Sequence, residues 1–172
     1  PHGFGKWTFA DGGTYEGDMV QGEISGRGQF IFANGTRYEG EVRAGKQHGQ
    51  GVMQSPSGYE YRGAWVNGVQ QGQGVITYPD GAVYDGALQA GLRWGEGRLQ
   101  MPDGTVYEGS WEDNQYHGQG RLTYPSGNVY EGSFEAGRRQ GQGTLTYASG
   151  DVYTGSFEGD AINGAGVLRA SD

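Results

Sequence analysis

Cysteine is absent from this chain of 172 residues, lysine occurs only at positions 6 and 46, and no apolar run approaches the roughly 18 residues needed to cross a bilayer. The missing cysteines exclude a disulfide framework and fit a reducing compartment. Hydrophobic residues are also scarce, at 34%, while 37 residues are glycine, so a thick core is not expected. A core-poor chain without disulfides has one economical route to stability left, the stacking of repeats. Twelve basic against twenty acidic residues give a formal net charge of −8, which argues against a nucleic-acid binder or a polybasic membrane-surface module. The chain reads as cytoplasmic. Its opening, Pro1-His2-Gly3-Phe4-Gly5, carries no leader pattern and echoes a phrase of the later repeats, so it reads as a piece of a longer array.

A fixed period is present. Tyr15, Tyr38, Tyr61, Tyr84, Tyr107, Tyr130 and Tyr153 follow one another at 23-residue steps, each with glycine two residues later. A Gly-x-Gly pair keeps the same step from Gly3 to Gly166. The expected organisation is a partial repeat over 1–14, then an array over 15–172 with repeats starting at 15, 38, 61, 84, 107, 130 and 153.

Within one unit, alternation places Tyr107, Gly109 and Trp111 on one face of a strand. A loop is expected over Glu112–His117. A second strand then carries Gly118, Gly120, Leu122 and Tyr124 together, and Pro125-Ser126-Gly127 reverses the chain into the next tyrosine. Several glycines per stretch and no 3.6-residue apolar stripe argue against helices. The prediction is all-β, an elongated single-layer antiparallel β-meander of 23-residue hairpin repeats. At about 4.8 Å per strand, fifteen strands make a rod of roughly 70 Å.

One face of that sheet is expected to be aromatic over glycine hollows. Its packing residues are the seven tyrosines with Trp65, Trp111, Phe134 and Phe157, and strand two adds Trp7, Phe30, Leu122 and Leu168 among others. Trp94 stands where other repeats carry His or Gln, and Tyr116 is expected in a strand-joining loop. Both are candidate partner contacts.

Catalytic chemistry finds no foothold. Gly-x-Gly lacks the third glycine and following helix of a dinucleotide site. His2, His48 and His117 share a repeat phase and fall on the order of 20 to 30 Å apart, too far for one metal ion within a monomer. Asp80 and Asp103, about 10 Å apart, approach the spacing of inverting glycosidase carboxylates, but Pro-Asp-Gly turns account for them. No serine or cysteine nucleophile has a histidine and an orienting acid at hand. The reading is a non-enzyme without cofactor or metal.

The phrases Tyr-Glu-Gly-x-Trp, His-Gly-x-Gly and Tyr-Pro-x-Gly closely resemble the MORN (membrane occupation and recognition nexus) repeat family over nearly the whole chain. The departures are Ser55 for an aromatic or Met, Asn114 and Asp160 for the loop glycine, and Ala170 at the last hairpin. The resemblance implies a twisted rod with a lengthwise groove, acting as a scaffold or dimer in cytoskeletal or membrane-associated assemblies. A stand-alone array is most similar to the protozoan cytoskeletal members. The leading expectation is a non-enzymatic scaffold for protein partners that self-associates through its last strand, whose Gly164, Gly166, Val167 and Leu168 form a poorly protected edge. The alternatives are a phosphoinositide-binding module, with Arg138 and Arg139 at the headgroup, or a targeting appendage of an enzyme domain outside this fragment.

Overall fold

The computed structural model describes residues 2–172, so Pro1 lies outside the described residues. Fifteen strands form one open antiparallel sheet whose hydrogen-bonding order follows the chain, and no helix occurs among the described residues. The contacts gather into two compact units. The first runs to Asp80 and includes Leu88–Gly91, and the second holds Gly81–Ala87 with Leu92–Asp172.

In the first unit, strands alternate between a tyrosine strand and a longer partner: β1 (His2–Thr8), β2 (Thr14–Val20), β3 (Glu23–Ile31), β4 (Arg37–Arg43), β5 (Lys46–Gln54), β6 (Glu60–Val66) and β7 (Val69–Thr77). β8 (Val83–Gln89) is shared between the units. The second unit continues with β9 (Leu92–Gln100), β10 (Val106–Glu112), β11 (Gln115–Thr123), β12 (Val129–Glu135), β13 (Arg138–Thr146), β14 (Val152–Glu158) and β15 (Ala161–Arg169).

The glycine pairs explain how a single layer can have a core. Gly109 stands opposite Gly120, and a Cβ added at Gly120 would lie 2.4 Å from the Tyr107 hydroxyl and 2.6 Å from its ring. The tyrosine therefore lies flat over the glycines, and its hydroxyl donates to the Ser110 carbonyl at 2.6 Å. The other six anchor tyrosines make the same bond three residues on. Six of the seven are fully buried, and burial pushes the Tyr38 and Tyr61 hydroxyls up to about 12. Tyr38 and Tyr61 therefore remain protonated donors at any physiological pH.

Two kinds of turn alternate. After Tyr124, the turn through Pro125 and Ser126 closes by a 2.9 Å bond from the Gly127 amide to the Tyr124 carbonyl, with Gly127 at φ 91°. The other connection departs from expectation. β10 and β11 are joined by Asp113-Asn114 alone, both at positive φ, where a loop over Glu112–His117 was expected. Paired positive φ values make this a tight hairpin turn that matches the twist of its strands. The extra residues are absorbed further along, where the register slips between Gly109 and Trp111 and Gly118 takes φ 74°.

Candidate functional site

Where the residue four after the tyrosine is aromatic, edge-on contacts tie that repeat to the one before it. The Trp111 ring lies 5.4 Å from Tyr84 and 5.0 Å from Tyr107, both near perpendicular. Phe134 is held in the same way between Tyr107 and Tyr130, and Phe157 between Tyr130 and Tyr153. In the first unit Trp65 stands between Tyr38 and Tyr61. Such pairs contribute about 0.5–1.5 kcal/mol beyond their buried area. All eleven aromatics singled out from the sequence for packing (Tyr15, Tyr38, Tyr61, Trp65, Tyr84, Tyr107, Trp111, Tyr130, Phe134, Tyr153 and Phe157) are buried.

Above these rings the repeat leaves a hollow, and it recurs in both units from the same positions. In the first unit Trp7, Phe9, Met19, Ile24 and the turn glycines Gly22 and Gly45 enclose about 480 Å³. In the second, the residues four periods later in sequence, Leu99, Met101, Trp111, Tyr116, Asn114 and Gly137, enclose about 210 Å³, with Arg93 added. The floor is thus the residue four after the tyrosine, and the walls are the end of strand two and a residue just past the hairpin turn.

That last position is the one sequence reasoning missed. It is filled in turn by Ile24, Gln47, Gln70, Arg93, Tyr116, Arg139 and Ile162. Its carbonyl accepts a bond of 2.8–3.1 Å from the amide of the second turn residue of the next hairpin: Gly45 to Ile24, Gly68 to Gln47, Gly91 to Gln70, Asn114 to Arg93, Gly137 to Tyr116 and Asp160 to Arg139. The sequence does hold a signal for it. Asn114 and Asp160, the two turn residues that are not glycine, are the ones paired with arginine. Asn114 Oδ1 accepts from the Arg93 amide at 2.8 Å, and Asp160 Oδ1 from the Arg139 amide at 2.8 Å. Each guanidinium is then laid over the floor, Arg93 at 4.6 Å from the Trp111 ring centre and Arg139 at 5.2 Å from Phe157.

The remaining expected site residues separate. Tyr116 belongs to β11, not to a loop, because the turn is two residues long. It stacks on Tyr107 at 3.9 Å and 9°, and burial raises its hydroxyl pKa. It lines the hollow of the second unit. Trp94, half-buried in β9, occupies a different row, three of whose members cap the next turn. His48 Nδ1 accepts from the Asn67 amide at 3.3 Å, and the side-chain oxygens of Gln71 and Gln140 accept from Ala90 and Gly159 at 2.9 Å. An indole can only donate, so Trp94 cannot make that bond.

Of the two arginines expected at a headgroup, Arg139 is turned inward, its side chain 19% exposed beside Asp160, and Arg138 is exposed. Gly164, Gly166, Val167 and Leu168 lie in β15, every residue of which is exposed, Val167 and Leu168 to 66%. Asp103 accepts the Thr105 amide within its turn, which holds its carboxyl below the ordinary value. Among the described residues no three His, Cys, Asp or Glu side chains gather as a metal site.

The MORN repeat family matches this chain in eight consecutive segments: 1–14, 15–37, 38–58, 61–83, 84–106, 107–129, 130–152 and 153–172. The chain belongs to the MORN repeat family. A comparison with curated proteins returned no match. Among solved structures, the chain is similar to the TCP10 domain of a Danio rerio CPAP point mutant, with 17% identity and a TM-score of 0.50 over 89% of this chain and 72% of that one. It is also similar to the SAS-4 TCP domain of Drosophila melanogaster, solved in complex with a proline-rich motif of Ana2. There the identity is 14% and the TM-score 0.49, over 98% of this chain and 90% of that one. At these identities the likeness concerns the fold alone.

Proposed function

We propose that this chain is a non-enzymatic scaffold that holds protein partners on its aromatic face and assembles with a second copy through β15. The observation that carries the first half is the recurrence of one hollow, built from the same repeat positions in both units, on a face of large apolar side chains. A surface of that kind, apolar at its floor and rimmed by polar turns, has the anatomy of a protein-interaction site. MORN family membership supports the same reading, and with it a place at the cytoskeleton or at the cytoplasmic side of a membrane. The test is cross-linking followed by pull-down with the intact chain and with Tyr116→Ala, at matched melting temperatures. Partners that are captured by the parent and lost by the variant support the aromatic face. Equal capture by both removes it.

Self-assembly rests on β15. It stands at one end of the strand order, its Gly164 to Arg169 stretch carries one charge and no proline, and among the described residues no strand pairs with its outer edge. Pairing about a two-fold axis would extend an antiparallel sheet from one copy into the next. Light scattering on the intact chain and on a version ending at Asp151 decides it. A monomeric intact chain at tens of micromolar, or equal dimerisation of the shortened one, removes β15 as the assembly surface.

A further inference from the structure

The polar face of the first unit holds cations that stand among carboxylates without forming ion pairs with them. Arg27 in β3, Arg37 in β4 and Arg62 in β6 line a hollow of about 450 Å³ together with Gln29, Gln54 and Glu39. Arg62 is paired with Glu60. Among the described residues Arg27 and Arg37 form no ion pair.

The reason lies in where the neighbouring acids are spent. Asp18 Oδ2 accepts from the Arg27 backbone amide at 2.9 Å, and Glu41, which stands directly across from Arg27, accepts from the Gln50 amide. Both carboxylates keep their charge but are aimed at backbone amides, and Glu16 and Glu39, which line hollows beside Arg27, form no ion pair with it among the described residues. In the second unit the positions corresponding to Asp18 are the uncharged Ala87, Ser110, Ser133 and Ser156, and Arg98 and Arg121, at the middle of their strands, each meet a glutamate: Glu108 at 2.9 Å and Glu131 at 3.0 Å.

A second observation on the same four strands points the same way. Arg43 and Lys46 are direct cross-strand partners beside the Ala44-Gly45 turn, and neither forms an ion pair among the described residues. Like charges placed opposite one another destabilise a sheet, so this pair costs stability that the fold itself does not return.

We infer that the polar face of β3–β6 is a second docking surface, opposite the aromatic one, and that it takes an extended acidic segment of a protein partner. Its cations are spread over four strands, roughly 14 Å across, which a single carboxylate cannot span. Acidic side chains two residues apart on an extended chain stand roughly 7 Å apart, and guanidinium stems cover the remaining distance. Each arginine presents a planar fork that matches a carboxylate. A compact phosphate dianion fits less well, because Glu39 lines the hollow and would face it directly. Separate carboxylates can be placed on either side of Glu39. The inference does not depend on the aromatic face, and the two can fail independently.

The probe is a fluorescein-labelled peptide of alternating Glu and Thr, titrated by anisotropy with the intact chain at low and physiological salt. Binding is expected to be salt-sensitive and to weaken about tenfold in Arg27→Gln/Arg37→Gln, with Arg98→Gln/Arg121→Gln unchanged. Arg43→Gln is expected to raise the melting temperature while weakening the peptide, a combination that loss of structure cannot produce. No binding by the parent chain overturns the inference, as does equal affinity in the Arg27/Arg37 variant. Saturable binding to phosphoinositide vesicles with none to the peptide also overturns it, in favour of a lipid surface.

Discussion

The hollow at Trp7, Phe9, Met19 and Ile24 and the hollow at Leu99, Met101, Trp111 and Tyr116 come from one repeat written with different side chains. Met19 is unbranched and half-buried, whereas Trp111 is 3% exposed and wedged between Tyr84, Tyr107 and Tyr116. The second hollow is also lined by Arg93, whose counterpart in phase for the first, Pro1, lies outside the described residues. The difference teaches that the backbone of the repeat specifies where a hollow occurs, while the floor and the residue past the turn specify its stiffness and charge. Repeat proteins can therefore vary their surface one unit at a time without disturbing the stack.

Substitution at the two floors should separate these roles most widely. Trp111→Ala removes a buried ring with three aromatic neighbours and is expected to cost about 3–5 kcal/mol, whereas Met19→Ala should cost about 1–2 kcal/mol. Urea unfolding of both variants checks it, and equal midpoints would mean the floors are equivalent. The glycines beneath come next. A methyl at Gly120 meets the flat Tyr107 ring at 2.4–2.6 Å. Gly120→Ala should cost about 1–3 kcal/mol in the same urea series. An unchanged midpoint would show that the ring can move aside.

Much of this was legible in the sequence because it is periodic. Tyrosine with glycine two residues on gave the strand, its face and its partner, and Gly109 does stand opposite Gly120. Pro-Ser-Gly and Pro-Asp-Gly marked their turns for the conformational reasons such residues are used. The two-residue turn was not legible, since a bulge lets Trp111 face Tyr116 while Gly109 still faces Gly120, and simple alternation cannot anticipate a register slip. Tyr116 was misplaced into a loop for that reason. The wall position was hidden as well, because Ile24, Gln47, Gln70, Arg93, Tyr116, Arg139 and Ile162 share no chemistry, only phase.

Arginine at that wall position and a non-glycine turn residue occur together twice, which makes the clamp a coupled device open to transplantation. Gln47 holds the same repeat phase relative to Trp65 as Arg93 does to Trp111, and the Gln47 side-chain oxygen lies 3.6 Å from where a Cβ on Gly68 would be. Gln47→Arg alone and Gly68→Asn alone should each change stability by less than about 0.5 kcal/mol or lower it slightly. The pair should recover about 0.5–1 kcal/mol as coupling in a double-mutant cycle. Strict additivity would show that the Arg93/Asn114 arrangement is two unrelated substitutions.

The smallest expected effect concerns Trp94, and its sign is what matters. In its row His48, Gln71 and Gln140 each accept the amide of the next hairpin's first turn residue, a bond worth about 0.5–1.5 kcal/mol. Indole offers only a donor, so the Asp113 amide is not capped by this row's side chain. Trp94→Gln supplies the missing acceptor, and it is expected to raise the urea midpoint by the equivalent of about 0.5–1 kcal/mol despite removing a large half-buried ring. A local rule broken without a local gain is characteristic of a functional position. A stabilised variant that also loses partner capture would mark Trp94 as a contact retained against the interest of the fold. If Trp94→Gln instead melts earlier, the indole is holding β9 by packing, and its departure from the row needs no partner to explain it.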